Sequence, residues 1–147
     1  MMGTILLLSG PNLNLFGERE PEIYGNDTLD DMVGDARAAA EAAGHALEHL
    51  QSNAEAELIE AIHGARGRCE ALVINAGALT HSSFALADAL ETFDGVKVEL
   101  HVSNPASREE WRRLSVIAPY VSGTVAGFGR AGYRLAIEGA ISKMANR

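Results

Sequence analysis

Thr4–Gly25, TILLLSGPNLNLFGEREPEIYG, joins a short apolar run to a polar, turn-forming stretch much longer than an ordinary connection. Thr4–Leu8 has the length and composition of a buried strand. A helix signal follows at Thr28, so Ser9–Gly25 must connect the two. Connections usually take a handful of residues, and a long one is more often a lid or a binding loop. This one carries a cation, Arg19, five positions before a phenol, Tyr24. Gly17, Gly25 and Pro21 are placed to hinge and stiffen it. The expectation is a lid, at about residues 17–26, that brings a base to a small anionic substrate.

The rest of the chain alternates strand and helix signals. Thr28 with Asp31 forms a capping-box pattern, Asp standing in for the preferred Glu. Leu29, Met32, Val33, Ala36 and Ala40 follow at helical spacing, and Gly44 is placed to end that helix. His45–Gln51 predicts a second strand, and Asn53 a cap for a helix whose Leu58, Ile59 and Ile62 share a face. Ala71–Ile74 is a third strand, ending at Asn75. Beyond the polar segment Gly77–Ser83, Ser82 or Ser83 caps a helix running to about Phe93. Phe84, Leu86, Leu90 and Phe93 occupy more than one side of it, which calls for deep burial or a subunit contact. Val96–Val102 predicts a strand, Arg108–Leu114 a short helix and Val121–Ala126 the last strand. A final helix presents Tyr133, Ala136, Ile137, Ala140, Ile141 and Met144.

Five such alternations predict an α/β fold, a parallel sheet covered on both faces by right-handed crossovers. Five strands suit the flavodoxin-like three-layer sandwich with strand order 2-1-3-4-5, expected here as one catalytic domain over residues 1–147. Its ligand crevice lies beyond the C-terminal strand ends, where the first and third strands part. Ser9–Gly25, Asn75–Ser83 and Glu99–Arg112 all fall at such ends.

The net charge of −8 argues against nucleic acid or an anionic membrane as the main partner, since both reward a basic face. A small anion fits if a few arginines converge. Cys69 is the one cysteine, reads as a small buried hydrophobe, and fits a reducing compartment. The first apolar run is too short for a signal segment or a membrane span, so the expected location is the cytoplasm. Asn26-Asp27-Thr28 matches a glycosylation sequon but reads as a turn and a helix cap.

Glu99 and His101 sit two apart on a strand and so point to the same side. A carboxylate beside an imidazole fixes its tautomer and makes His101 a candidate general acid. Set against this is a structural pair at the sheet edge, and the predicted crevice position favours the acid. Asn75 offers both a donor and an acceptor, and His81 can donate to a hydroxyl. No short His/Cys spacing supports a metal held by His81, His101 and Glu99, and none is expected. Arg108 and Arg112, four apart, share a face if helical and with Arg19 would concentrate positive charge; alternatively they pair with Glu109 and Glu110 on a solvated surface. Gly127-Phe-Gly-Arg-Ala-Gly132 has the spacing of a dinucleotide fingerprint, but only 15 residues follow it, too few for the strand and acidic residue such a site needs. Close packing at a helix N-terminus is the better reading, and no cofactor is expected. No P-loop and no nucleophile-elbow pattern is present.

SGPNLNLFGEREPEIYG, NAGALTHSS with ALADA, ELHVSN with REEWR, and GFGRAGY together resemble the type II 3-dehydroquinate dehydratases over nearly the whole chain. The resemblance implies anti elimination of water from 3-dehydroquinate to 3-dehydroshikimate through an enolate, with neither metal nor Schiff base. It implies that Tyr24 removes the proton alpha to the ketone, with Arg19 stabilising a phenolate that a free tyrosine, of pKa about 10, would not supply. Asn75 would hold a water at the enolate oxygen, and His101, oriented by Glu99, would protonate the departing hydroxyl. The backbone amides of Val102 and Ser103 would take the substrate carboxylate. Asn12 would border the site, and His81 and Arg112 would bind ring hydroxyls. Arg108 would support the loop, and Asp88 would reach the site of a neighbouring subunit in a dodecamer of trimers.

The chain departs from the family pattern at Ser9, where asparagine is usual, at Pro105-Ala106-Ser107, which lacks a histidine, and at Leu114, which replaces another. These departures leave room for a paralogue acting on a related cyclic hydroxy-acid. A non-catalytic flavodoxin-like binding module is the other alternative, but it predicts an acidic cluster after the first strand, where this chain has Ser-Gly-Pro-Asn.

Overall fold

The computed structural model describes residues 3–147. Its strands are β1 (Thr4–Ser9), β2 (Ala46–Gln51), β3 (Ala71–Asn75), β4 (Val96–His101) and β5 (Gly123–Ala126), and its α-helices are α1 (Pro21–Tyr24), α2 (Leu29–Ala42), α3 (Glu55–Ala65), α4 (Phe84–Glu91) and α5 (Ala131–Ala145). The strands form one parallel sheet in the order β2-β1-β3-β4-β5, as the alternation predicted.

The apolar pattern explains the layering. β3 is buried along its whole length, the mark of a central parallel strand covered on both faces. Ile5, Leu7, Val73, Val98 and Leu100 face one core with Met32 and Ala36 of α2 and Tyr133 and Ile137 of α5. The alternate residues Leu6, Leu8, Leu72 and Ile74 face a second core with Leu58 and Ile62 of α3 and Leu86 and Leu90 of α4.

Helix ends follow the chemistry of their caps. Thr28 and Asp31 close the reciprocal capping box at the start of α2. Gly44, at φ +84°, ends that helix as its position suggested, with His45 N–H returning to the Ala40 carbonyl and Gly44 N–H to that of Glu41. Ser83, the second of the two serines, caps α4. Asn53 does not cap α3. Ser52 instead accepts the Ala54 amide and donates to Glu57, while Asn53 turns its amide oxygen toward the Asn12 N–H.

The segment after β4 also differs from the expected helix. Residues Pro105–Ser107, Glu110–Arg112 and Ala118–Tyr120 each make a single 3-10 turn. Between the first two, Arg108 (ψ −159°) and Glu109 (ψ 146°) are extended. Arg108–Leu114 carries no apolar stripe to hold a helix against the sheet, and the crossover is anchored further on by the fully buried Ile117.

β1 and β3 meet closely before they part. The Gly10 amide donates to the Asn75 carbonyl at 2.8 Å, and a Cβ on Gly10 would lie 2.5 Å from the Ala76 carbonyl oxygen. Gly10→Ala must force these strand ends apart. It is expected to cost about 1–3 kcal/mol in urea unfolding and to lower any activity of the crevice above it.

Candidate active site

Three strand ends build the floor of the crevice. Asn75 closes β3, and its buried side chain accepts the Gly77 N–H at 3.3 Å while its Nδ2 donates to the Tyr133 oxygen at 3.4 Å. His101 closes β4 with Nε2 at 2.5 Å from Glu99, as their shared side of the strand predicted. Glu99 is buried behind the ring and accepts a second bond from Ser115. Among the described residues the His101 Nδ1 makes no hydrogen bond, so it is the nitrogen left for a ligand.

His81 ends the 3-10 turn Gly77–His81, with its Nδ1 at 2.7 Å from the Leu114 carbonyl. A carbonyl only accepts, so the Nδ1 bears the hydrogen. Burial, aided by the charge of Arg112, pushes the His81 pKa down against that bond, and the ring is held neutral. Its Nε2 is therefore a lone pair, and His81 is set to accept from a ligand hydroxyl where the sequence alone suggested a donor. The Leu114 side chain is 70% exposed; what this position contributes to the site is its backbone oxygen. Ala106 is exposed too.

The loop above is structured throughout its length. It holds a 3-10 turn, Leu13–Leu15, and the one-turn helix α1. Asn12 takes the left-handed conformation (φ 70°), tolerated by asparagine, with its N–H tied to Asn53. Tyr24, at the end of α1, is buried against Phe16 with ring centroids 5.4 Å apart. Two guanidiniums lie near its ring, Arg19 at 4.7 Å and Arg108 at 5.1 Å from the centroid. Arg108 is the closer to the phenol oxygen, donating from Nη1 at 2.5 Å against 3.5 Å for Arg19. This pairing joins residues 84 positions apart, and no local pattern could have signalled it.

Asn12, Arg19, Tyr24, Asn75, His81, His101, Val102, Ser103, Arg108 and Arg112 all line one cavity of about 120 Å³. Arg108 and Arg112 thus both reach the site, though not from a shared helical face. The amides of Val102 and Ser103 make no hydrogen bond within the described residues. Asp88 is exposed on α4, one turn after Phe84, and does not line this cavity. Glu20 and Glu109 only partly balance the three arginines, at 3.4 Å from Arg19 and 3.1 Å from Arg112. In a chain of net charge −8 this local excess of cations selects for an anion. Among the described residues no cluster of three or more His, Cys, Asp and Glu could hold a metal, and no helix is long and apolar enough to cross a membrane.

The glycine-rich turn before α5 serves packing. A Cβ on Gly132 would stand 3.2 Å from Leu100. Arg130, in the same turn, ties the loop's far stem to α2 through Asp27 at 3.0 Å and Asp35 at 2.6 Å. The Arg130 hydrogen bonds hold Asp35 below the usual carboxylate range, so this tie is intact above pH 3.8 and weakens as the pH falls through the depressed value. Arg130→Ala is expected to speed amide hydrogen exchange over residues 20–28 several-fold and to leave the sheet unchanged, with high salt mimicking the substitution.

A phenol gripped by guanidiniums and an imidazole backed by a carboxylate, at the C-terminal edge of an open parallel sheet, define an α/β enzyme that moves protons on a small anion. Its family follows from sequence: the model of the class II dehydroquinases matches residues 3–141, and the chain belongs to that family. A 3-dehydroquinate dehydratase of Corynebacterium glutamicum strain R is 54% identical over 140 residues, 94% of this chain and 95% of the relative. A protein of Aspergillus clavatus named catabolic 3-dehydroquinase is 47% identical, over 92% of this chain and 90% of its own. The crystal structure of the type II dehydroquinase of Butyrivibrio crossotus superposes with a TM-score of 0.91 at 38% identity, covering 95% of this chain and 98% of that one.

Proposed function

We propose that this cavity carries out the type II 3-dehydroquinate dehydratase reaction, the anti elimination of water from 3-dehydroquinate to 3-dehydroshikimate. The observation that carries the reading is the phenol oxygen of Tyr24 under two guanidiniums, in the same cavity as His101, which Glu99 backs from below.

Tyr24, as the phenolate, takes the proton alpha to the ketone, and the charge on its oxygen before transfer is balanced by Arg108 and Arg19. Electrons from the broken C–H bond form the enolate, whose oxygen is met by a water held on Asn75. The enolate then expels the hydroxyl beta to the carbonyl, and His101 protonates it to water from Nδ1. Glu99 holds the other ring nitrogen and balances the charge of the doubly protonated ring. All electrons remain in the substrate, so the step needs no redox partner. Tyr24 ends protonated and His101 one proton short, and solvent exchange restores both. The unpartnered Val102 and Ser103 amides take the carboxylate, while His81 and Arg112 hold ring hydroxyls and Asn12 closes the border. The loop at about residues 17–26 acts as the lid, in one catalytic domain.

The finer reading extends to assembly. The exposed face of α4, with Phe84 72% accessible one turn before Asp88, suits burial against a second copy. Asp88 then reaches a neighbour's site in a cytoplasmic dodecamer of trimers. A monomer in size-exclusion chromatography would remove that role.

The deciding assay follows enone absorbance when purified protein meets 3-dehydroquinate. Turnover no greater than that of Tyr24→Phe overturns the reading; the substitution is expected to lower kcat by about 10²-fold or more. Arg19→Ala and Arg108→Ala are both expected to reduce kcat far more than they raise KM, because their charge matters most when the phenolate forms. Arg108→Ala should show the larger fall, about 10²-fold, in keeping with its shorter contact.

A further inference from the structure

We infer that His49 is a positioning residue, fixing the side chain of Asn75 through a directed chain of hydrogen bonds that passes through Ser9 and Tyr133. The inference rests on the reading that Asn75 holds the water at the enolate oxygen.

The topology brings these groups together. Ser9 and Asn75 are register partners at the ends of β1 and β3, and His49 lies opposite Leu7 on β2. Leu7, Ser9, His49 and Asn75 therefore share the sheet face covered by α5, from which Tyr133 descends. The contacts run His49 Nε2 to Ser9 Oγ at 3.0 Å, Ser9 Oγ to Tyr133 oxygen at 3.4 Å, and Tyr133 oxygen to Asn75 Nδ2 at 3.4 Å. Ser9, Tyr133 and Asn75 are buried, whereas His49 is half-buried and lines a groove on the β2 side of the loop with Glu18 and Asp30.

Only one direction makes every link and also gives each buried hydroxyl hydrogen an acceptor within the chain. The Gly77 N–H donates to Asn75 Oδ1, so the amide must turn Nδ2 toward Tyr133. An amide nitrogen only donates, hence the Tyr133 oxygen accepts and its own hydrogen goes on to Ser9. Burial pushes the Tyr133 pKa up, so that hydrogen stays in place. Ser9 then gives its hydrogen to His49, which must offer a bare Nε2. Burial and the nearby Arg37 push the His49 pKa down against the opposing charge of Asp30, which favours the neutral ring; the Ser9 hydrogen then selects the tautomer with Nε2 bare. Reversed, the chain would set the Tyr133 hydrogen against the Asn75 amide hydrogens, donor facing donor in a buried site. The direction at one end is thus dictated by the ring at the other. Ser9, where the family pattern has asparagine, is the hydroxyl that passes it on.

The experiment measures kcat, KM and urea unfolding midpoints for His49→Leu, His49→Gln, Ser9→Ala, Tyr133→Phe and the pair His49→Leu/Tyr133→Phe. His49→Leu and Ser9→Ala are expected to lower kcat about two- to tenfold, with KM within about twofold of the parent. His49→Gln, whose amide oxygen can still accept from Ser9, recovers most of that loss. The double variant falls no further than Tyr133→Phe alone, because both substitutions cut one chain. The relay is overturned if kcat survives Ser9→Ala, if His49→Gln is as slow as His49→Leu, or if the two losses multiply. Should His49→Leu fail to fold, Ser9→Ala and His49→Gln still decide, since the first removes only the hydroxyl at the middle of the chain and the second keeps an acceptor at its end. A parent protein that does not turn over 3-dehydroquinate sinks the underlying reading as well, and an active parent with unaffected variants sinks the relay alone.

Discussion

The hydrogen bond from the Gly10 amide to the Asn75 carbonyl is the last rung between β1 and β3, and what lies above depends on it. Below that rung the two strands are paired and buried on both faces. Above it the chain from β1 swings out into the loop that carries Tyr24, and the chain from β3 curls into the turn that carries His81. The crevice between them exists because two crossovers leave the sheet in opposite directions at this point. Any side chain on Gly10 would press on the Ala76 carbonyl and widen the rung, so the smallest residue of the chain sets the dimensions of the cavity.

Electrostatics gives the cavity its character. Arg19, Arg108 and Arg112 converge in a strongly acidic protein, held by the loop, by an extended stretch and by a 3-10 turn respectively. Like charges brought together repel, and the nearby Glu20 and Glu109 carboxylates offset only part of that. The remainder is relieved by an anion bound among the three guanidiniums. Across the cavity the buried Glu99 backs the His101 ring, on a different strand end from the loop that carries Arg19 and Tyr24.

Features encoded over a few residues were legible in the sequence. Strand and helix alternation, the Thr28–Asp31 box, the Gly44 stop and the common side of Glu99 and His101 all depend on local spacing, and all stand in the structure. Features decided by tertiary contact were not. The polar stretch after β4 has arginines at helical spacing, yet it breaks into separate 3-10 turns, with Trp111 and Leu114 exposed and burial resuming only at Ile117. Asn53 has the chemistry of a cap, but the Asn12 amide claims it and α3 begins after Ala54 without a side-chain cap. Arg108 against Tyr24, and Ser9 among His49 and Tyr133, join distant segments whose composition carries no trace of the pairing. Tyr133 could be read as core from its helical spacing, and it is fully buried, but its hydroxyl's partners could not be.

Glu20 has a consequence of its own. It holds φ 37° and ψ 61° immediately before Pro21, a backbone region that glycine occupies freely and glutamate does not. Such a residue carries strain of about 1–3 kcal/mol. Its carboxylate reaches Arg19 at 3.4 Å and Arg108 at 3.8 Å, so the contacts that offset the strain are made with the two cations nearest the phenol. The backbone strain at Glu20 and the placing of Arg19 and Arg108 beside the phenol are therefore coupled through a single carboxylate.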